Sequence, residues 1–287
     1  MRLISSPDEI RSASKSFQRT AQQTVGLVPT MGALHEGHLS LIRASKQVCD
    51  RTVASIFVNP LQFAPNEDYA QYPRTFEQDV VLLEKEGVDI LFAPANEVMY
   101  PKPMQTLVDV PDIAGRLDGA SRPGHFRGVT TVVSKLFHII RPDRAFFGQK
   151  DAAQVAVLRA MVRDLNFDLE LVVCPTVRES SGLALSSRNR YLSEVERKEA
   201  EAIPRSLRAL ERSVADGQRS IDTLRDQLVR DLASSGTLRL DYAEIVDPDT
   251  LEKLKDLKKM SLVAVAVWVG KTRLIDNTLL TIDGLNA

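Results

Sequence analysis

From residue 25 onward, short apolar runs alternate with amphipathic stretches of helical period, and this alternation restricts the fold more than any other feature. Residues 25–28, 52–58, 88–92, 145–147 and 169–173 read as strands, with helices expected over 38–48, 75–85, 129–140 and 152–163. Strands that alternate with helices indicate a mostly parallel sheet covered on both faces. The expected class is therefore α/β, with a Rossmann-like doubly wound parallel sheet whose ligand site lies beyond the C-terminal strand ends.

After about residue 176 the pattern changes. Charged helical stretches over 193–215 and 221–233 are followed by β-rich runs over 238–246, 262–269 and 273–281, with Gly270-Lys271 at a hairpin turn. Consecutive helices followed by consecutive strands predict a second, smaller α+β domain. The expected division is 1–176 and 177–287, with the polar segment 178–182 as a hinge loop.

Composition narrows the ligand. The 287 residues carry 37 Lys+Arg against 38 Asp+Glu, a net charge of −1, so there is no basic field to favour nucleic acid. Cys49 and Cys174 read as buried free thiols. There is no Cys-x-x-Cys pair, and His35 and His38 have no third ligand nearby in sequence, which argues against structural zinc. The longest apolar run, 262–269, is too short to span a bilayer. Residues 1–7 turn polar at once, without a signal-peptide apolar core, so a reducing cytoplasm is expected.

The most informative segment is Pro29-Thr30-Met31-Gly32-Ala33-Leu34-His35-Glu36-Gly37-His38, where the first strand gives way to the first helix. Two histidines three apart on a helical first turn point the same way. Backbone N–H groups and the positive end of the helix dipole favour phosphate there, and imidazole donors would add to them. Neither a Gly-x-Gly-x-x-Gly fingerprint nor a complete phosphate loop, Gly-x-x-x-x-Gly-Lys-Ser/Thr, occurs. The alternative is a capped helix start with two exposed histidines.

Four further segments carry polar chemistry. In Asn59-Pro60-Leu61-Gln62-Phe63, Pro60 ends strand pairing and leaves Asn59 and Gln62 at the rim of the sheet, either as amides for a hydroxy acid or as a capping turn. Arg122, His125 and Arg127 lie among Pro123, Gly124 and Gly128 in a loop that suits an anion or surface carboxylates. Phe147-Gly148-Gln149-Lys150-Asp151 offers a mobile cation and a helix cap at a strand-to-helix turn, with Gln154 three residues on. Leu185-Ser186-Ser187-Arg188-Asn189 supplies hydroxyls and a guanidinium just past the expected boundary.

The His-x-x-His at a strand-to-helix turn resembles the signature of the nucleotidyltransferase superfamily, which includes class I aminoacyl-tRNA synthetases and cytidylyltransferases. The longer string from Val28 to His38 resembles the pantoate–β-alanine ligase (pantothenate synthetase) family. So do Ser55-Ile56-Phe57-Val58-Asn59-Pro60-Leu61-Gln62-Phe63, Tyr72-Pro73-Arg74-Thr75, the glycine-containing run from Gly119 to Val129, Phe147-Gly148-Gln149-Lys150-Asp151 and Gly182-Leu183-Ala184-Leu185-Ser186-Ser187-Arg188-Asn189. The resemblance covers residues 25 to about 192. Leu185 to Asn189 is similar to the second superfamily signature, Lys-Met-Ser-Lys-Ser, with Arg188 as its cation. The literal Lys259-Met260-Ser261 leads into a β run and reads as the start of a strand. One departure is Ser181-Gly182 where the family usually has Asp-Gly.

The resemblance implies an ATP-dependent ligase. It condenses pantoate with β-alanine to pantothenate through a pantoyl-adenylate, releasing AMP and pyrophosphate. ATP is the co-substrate with Mg2+, there is no nucleic-acid or membrane partner, and the enzyme is a homodimer. Residues 1–176 would bind nucleotide and pantoate, with 177–287 as a lid. By the same resemblance, ATP meets Met31, Gly32, Ala33, Leu34, His35, Glu36, Gly37, His38, Gly148, Gln149, Lys150, Asp151, Val177, Leu185, Ser186, Ser187 and Arg188. Pantoate meets Asn59, Gln62 and Gln154, and β-alanine meets Gln62. The catalytic group is His35, His38, Lys150, Ser186, Ser187 and Arg188, with His38 as proton donor. No metal ligand and no step for His125 are assigned. Two rivals remain: another adenylate- or cytidylate-transferring member of the superfamily, opposed by the neutral charge, and a non-catalytic nucleotide-binding module, opposed by the presence of both signatures and Lys150.

Overall fold

The computed structural model of the chain describes residues 1–65, 67, 69–233, 236 and 238–282. They divide into two compact units. The first comprises Met1–Gly115, Gly119–Gly148 and Val157–Pro175, and the second Arg116–Asp118, Gln149–Ala156 and Thr176–Ala287.

In the first unit, β1 (Arg2–Ile4), β2 (Val25–Thr30), β3 (Arg51–Ile56), β4 (Ile90–Phe92), β5 (Arg144–Gly148) and β6 (Glu170–Cys174) form one parallel sheet in the order β1-β4-β3-β2-β5-β6. Val25, Leu27 and Val28 of β2, Val53 and Ala54 of β3 and Phe146 of β5 are fully buried. Such burial on both faces is the expected state of a parallel sheet. The chain builds outward from β2 through β3 and β4, then returns to the other side of β2 with β5. The switch point therefore lies between β2 and β5. These two strands pair only at Gly26↔Arg144 and Leu27↔Ala145, whereas β2 and β3 pair along six residues. Beyond Ala145 the pair opens toward its C-terminal ends, where doubly wound sheets bind ligands.

The expected helices and strands of this unit are present with ends shifted by a few residues. The largest shift is at the helix His125–Ile140, which starts four residues before 129. Two elements before β2, and short helices such as Asn96–Met99 and Pro111–Ala114, have no counterpart in the sequence reading. β1 is only three residues long and buries only Ile4. Helix α1 (Pro7–Ala21) carries a thin stripe of Ile10, Ala13, Ser14 and Phe17. Its start was nevertheless marked: Ser6 caps the Glu9 N–H, Pro7 opens the helix, and Asp8 and Glu9 face the dipole.

The second unit holds an antiparallel sheet in the order β7-β8-β9, from β7 (Leu238–Val246), β8 (Met260–Val269) and β9 (Thr272–Thr281). Val269 pairs with Thr272, so Gly270 and Lys271 form the two-residue hairpin loop, and Met260-Ser261 begins β8 as expected. Leu207 and Leu210 of the helix Ala202–Ala215 and Leu224, Leu228 and Leu232 of the helix Ile221–Ala233 share a core with Val263, Val265 and Val267. The single helix expected over 193–215 is two, Glu194–Ala200 and Ala202–Ala215. Pro204 has no N–H to donate to the Ala200 carbonyl, so the ladder breaks and restarts at that point.

Two segments numbered below 176 group with this second unit, and side-chain bonds explain why. Arg273 of β9 pairs with Asp118 at 2.7 Å and with Asp241 of β7 at 2.8 Å. Asn277 of β9 donates from its amide to the carbonyls of Gln149 and Lys150, both at 2.9 Å.

Candidate active site

The first half of the site follows β2. Thr30 donates its hydroxyl to the Ser55 carbonyl at 2.8 Å and accepts the Gly32 N–H at 3.1 Å. Gly32 then takes φ +81° and Ala33 φ +50°. Such a turn aims successive N–H groups at one point. Here that point is a carboxylate of the protein: the Ala33 and Leu34 N–H groups donate to Asp79 Oδ2 and Oδ1, each at 2.9 Å. Asp79 is buried in helix α3 (Phe76–Lys85) and also accepts the Thr75 hydroxyl at 3.2 Å.

Helix α2 (Glu36–Val48) starts at the histidine pair in a way the spacing did not indicate. His35 is the N-cap, in extended conformation, not a member of the first turn. Its Nδ1 accepts the Gly37 N–H at 3.1 Å, and His38 Nδ1 accepts the His35 N–H at 3.4 Å. This is a reciprocal capping box built from two imidazoles in place of Ser and Glu. An Nδ1 that accepts places the proton of each neutral ring on Nε2, by assignment from the hydrogen bonds. The rings stand 4.2 Å apart at 36°. The backbone N–H groups expected to meet phosphate are thus partly engaged, at Ala33, Leu34 and Gly37. Glu36 is exposed and pairs with Arg43 on the helix surface.

Asn59 and Gln62 follow β3, as the position of Pro60 predicts. Asn59 is 1% exposed, and its amide is saturated. Nδ2 donates to Gln62 Oε1 and to the Gly128 carbonyl, both at 3.0 Å, while Oδ1 accepts the Tyr100 hydroxyl at 2.7 Å and the Leu61 N–H at 3.2 Å. An amide has two donors and two acceptor sites, and in Asn59 all four are taken within the protein. Gln62 is instead oriented by it, with Nε2 lying 3.1 Å from Met31 Sδ. Burial pushes the Tyr100 phenol pKa up, which keeps it a donor.

The basic loop folds onto the same glutamine. His125 Nδ1 donates to the Gln62 carbonyl at 2.8 Å, Arg122 Nη1 meets His125 Nε2 at 3.0 Å, and Glu67 holds Arg122 at 2.6 Å. Burial opposes the charge of Glu67, but the Arg122 guanidinium outweighs it and holds the carboxyl below the usual range. Gly128 permits this arrangement, because a Cβ there would lie 2.3 Å from the Leu61 carbonyl oxygen.

The remaining candidates start at Gly148, which ends β5 and on which a Cβ would meet nothing within 4 Å. Those after it belong to the second unit. The turn Gln149–Asp151 leads into the helix Ala152–Asp164, on which Gln154 is half-buried. Asn277 Oδ1 accepts the Gln149 amide at 3.0 Å. Lys150 lies 3.7 Å from Asp151. Beside Asn277, Asp276 binds Arg178 at 2.6 and 3.0 Å.

Residues 177–185 form a tight hairpin in which Leu185 N–H donates to the Val177 carbonyl at 2.9 Å. Ser181 Oγ accepts the Leu183 N–H at 3.3 Å. That is the local turn bond an Asp side chain makes, so the departure at 181 preserves it. Ser186 then caps the short helix Ser187–Tyr191 by accepting the Arg188 N–H at 3.2 Å. Asn189, buried beneath, donates to Glu179 at 2.9 Å and to the Ala184 carbonyl at 3.0 Å.

The candidates are thus gathered into two sets. Met31, Gly32, Ala33, Leu34, His35, Glu36, Gly37, His38, Asn59, Gln62 and Gly148 belong to the first unit, and Gln149, Lys150, Asp151, Gln154, Val177, Leu185, Ser186, Ser187 and Arg188 to the second. Among the supporting residues that escaped the sequence reading are Asp79, Tyr100 and Asn277. Asp79 did carry a signal, an acidic residue four before the buried Leu83 on the apolar side of a helix. Asp276-Asn277 is likewise a polar pair inside an apolar strand.

A parallel sheet open at its switch point, with an imidazole-capped helix at the end of β2, defines an α/β nucleotide-binding enzyme. The family model for pantoate–β-alanine ligase matches residues 2–279, and the chain belongs to that family. It is 60% identical over 258 residues to a pantothenate synthetase of Acidobacterium capsulatum, covering 90% of this chain and 86% of that protein. The crystal structure of the pantothenate synthetase of Thermus thermophilus superposes with a TM-score of 0.92 at 45% identity, over 98% of this chain and 100% of that one. A Francisella tularensis pantoate–β-alanine ligase, complexed with β-γ ATP and β-alanine, gives a TM-score of 0.78 at 36% identity, over 97% of each chain.

Proposed function

We propose that the chain condenses pantoate with β-alanine at the expense of ATP, in two steps. A pantoate carboxylate oxygen attacks the α-phosphorus of ATP, the bond from that phosphorus to the bridging oxygen breaks, and pyrophosphate leaves. The amine of β-alanine then attacks the acyl carbon of the pantoyl-adenylate, the bond to the phosphate oxygen breaks, AMP leaves, and the amine loses a proton. No nucleophile of the protein is required. The residues act by alignment and by stabilising charge on the phosphates.

In this reading ATP meets the 31–38 loop, with the Nε2–H groups of His35 and His38 donating to phosphate oxygens. The family resemblance makes His38 the proton donor. The tautomer makes it a neutral hydrogen-bond donor at Nε2 in the resting enzyme. Lys150 and Arg188 supply cations, Ser186 and Ser187 hydroxyls, and Gly148, Gln149, Asp151, Val177 and Leu185 surround the nucleotide. Gln62 and Gln154 hold pantoate, Gln62 also neighbours β-alanine, and Asn59 acts by orienting Gln62. Mg2+ accompanies the triphosphate. Both units carry substrate residues, Gln149–Ala156 grouping with the second, and the enzyme works as a homodimer in the cytoplasm. No helix among the described residues is long and apolar enough to cross a membrane.

The observation that carries this reading is the imidazole capping box at the end of β2, in a chain that matches the ligase family from residue 2 to 279. ATP–pyrophosphate exchange tests it. Exchange should depend strictly on pantoate and Mg2+. Exchange driven by an amino acid without pantoate would overturn it in favour of a synthetase-like activity.

A further inference from the structure

The turn at Gly32 and Ala33 makes a concave pair of N–H groups, the arrangement that commonly receives a phosphate. In this protein an internal anion fills it. Both oxygens of Asp79 are engaged by the Ala33 and Leu34 N–H groups, each at 2.9 Å, and the carboxylate is further fixed by the Thr75 hydroxyl at 3.2 Å. Gly32 lacks the Cβ that would stand 3.0 Å from Asp79 Oδ2, so the carboxylate can reach the loop. His35 follows directly after the clamped Leu34. It is the N-cap of helix α2, and the capping bonds fix both imidazoles.

We propose that Asp79 is the positioning residue of the nucleotide loop. It occupies the loop's own anion cradle and thereby holds the His35–His38 pair in its donor geometry before ATP arrives. The proposal rests on the assignment of residues 31–38 to ATP. Its physical content is pre-organisation: a loop with two consecutive left-handed residues relaxes unless something holds it, and a relaxed loop must be re-ordered with every ATP bound.

The test is Asp79→Asn, which keeps the shape but turns one acceptor into a donor facing a loop N–H. Thr75→Val, which removes only the hydroxyl support, serves as the milder variant should Asp79→Asn fold poorly. Kinetic constants are referred to active sites counted by single-turnover adenylate formation, so that lost folded protein does not count as lost function. Asp79→Asn should raise KM for ATP about tenfold or more while KM for pantoate changes less than threefold, and Thr75→Val should shift the same constant in the same direction by a smaller factor. Imidazole nitrogen NMR should show His35 and His38 in one Nε2–H tautomer in the parent and in a mixture in Asp79→Asn. Parent-like KM for ATP and an unchanged tautomer in a folded Asp79→Asn would overturn the proposal. His38→Ala separates the two levels. If it leaves ATP use unchanged, the loop assignment itself falls and the proposal with it. If it abolishes ATP use while Asp79→Asn does nothing, only the role of Asp79 is refuted.

Discussion

The saturated amide of Asn59 makes a quantitative prediction about how pantoate is held. Asn59→Ala removes two donors and two acceptors at once, from a side chain that is 1% exposed. At about 1 kcal/mol net per neutral hydrogen bond, and with little access for replacement water, the loss of unfolding free energy should be roughly 3–4 kcal/mol. The kinetic effect has a different origin. Gln62 keeps its amide but loses the partner on Oε1, and must be immobilised at the moment of binding, at about 0.5–1.5 kcal/mol for such a side chain. KM for pantoate should rise about three- to tenfold, with KM for ATP little changed. Tyr100→Phe, which deletes a single bond to Asn59, should cost about 1 kcal/mol of stability and leave KM for pantoate as it is.

Chemical denaturation and pantoate-dependent pyrophosphate exchange measure these quantities in the two single variants, in Gln62→Ala and in the double variant. If Asn59 acts only through Gln62, the double variant has the KM of Gln62→Ala. A further increase in KM when Asn59→Ala is added to Gln62→Ala would mean that Asn59 touches pantoate itself, and the argument from saturation would be wrong.

Lys150 is 20% exposed and 3.7 Å from Asp151, a weak pair, so Lys150→Ala should change stability by less than about 0.5 kcal/mol while slowing adenylate formation at least about a hundredfold. Single-turnover adenylation near the parent rate would remove Lys150 from the chemistry. Gly128→Ala should force the Leu61–Gln62 backbone away, because the new Cβ meets backbone at 2.3 Å, and should impair pantoate use more than ATP use despite alanine's better helix propensity. Unchanged pantoate kinetics in that variant would show that the segment shifts without consequence. Glu67 has a folded pKa below its ordinary 4.5, so its contribution to stability is present above that value and lost as pH falls through the lowered one. Denaturation followed from pH 6 to pH 3 should be less steeply pH-dependent in Glu67→Gln, and identical slopes would contradict the role given to the Arg122 pair.

Several features of this protein were legible in the chain alone because they depend on neighbours in sequence. The strand and helix at β2 and α2, the hairpin at Gly270-Lys271, the helix Ile221–Ala233 and the apolar run of β8 over 262–269 all follow from periodicity, turn residues and apolar runs. The same holds for the class of chemistry, since two histidines at a strand-to-helix turn are a local arrangement. Helix α1 was equally local, and its cap was there to be read. The break before Ala202 was also marked, by Pro204.

The functions of particular side chains were settled at longer range. Asp79 reaches Ala33 across 46 residues, Tyr100 reaches Asn59 across 41, and Asn277 reaches Gln149 across 128. These contacts engage the Asn59 amide within the protein, and fill the expected anion cradle with a carboxylate of the protein. Local pattern sets torsion angles and the face a segment buries. It does not set strand order, or which polar side chain arrives opposite an orphan N–H. Those follow from how the segments stack in three dimensions, so the same Asn, Asp or Gln could be read as binding a substrate until its partners were placed.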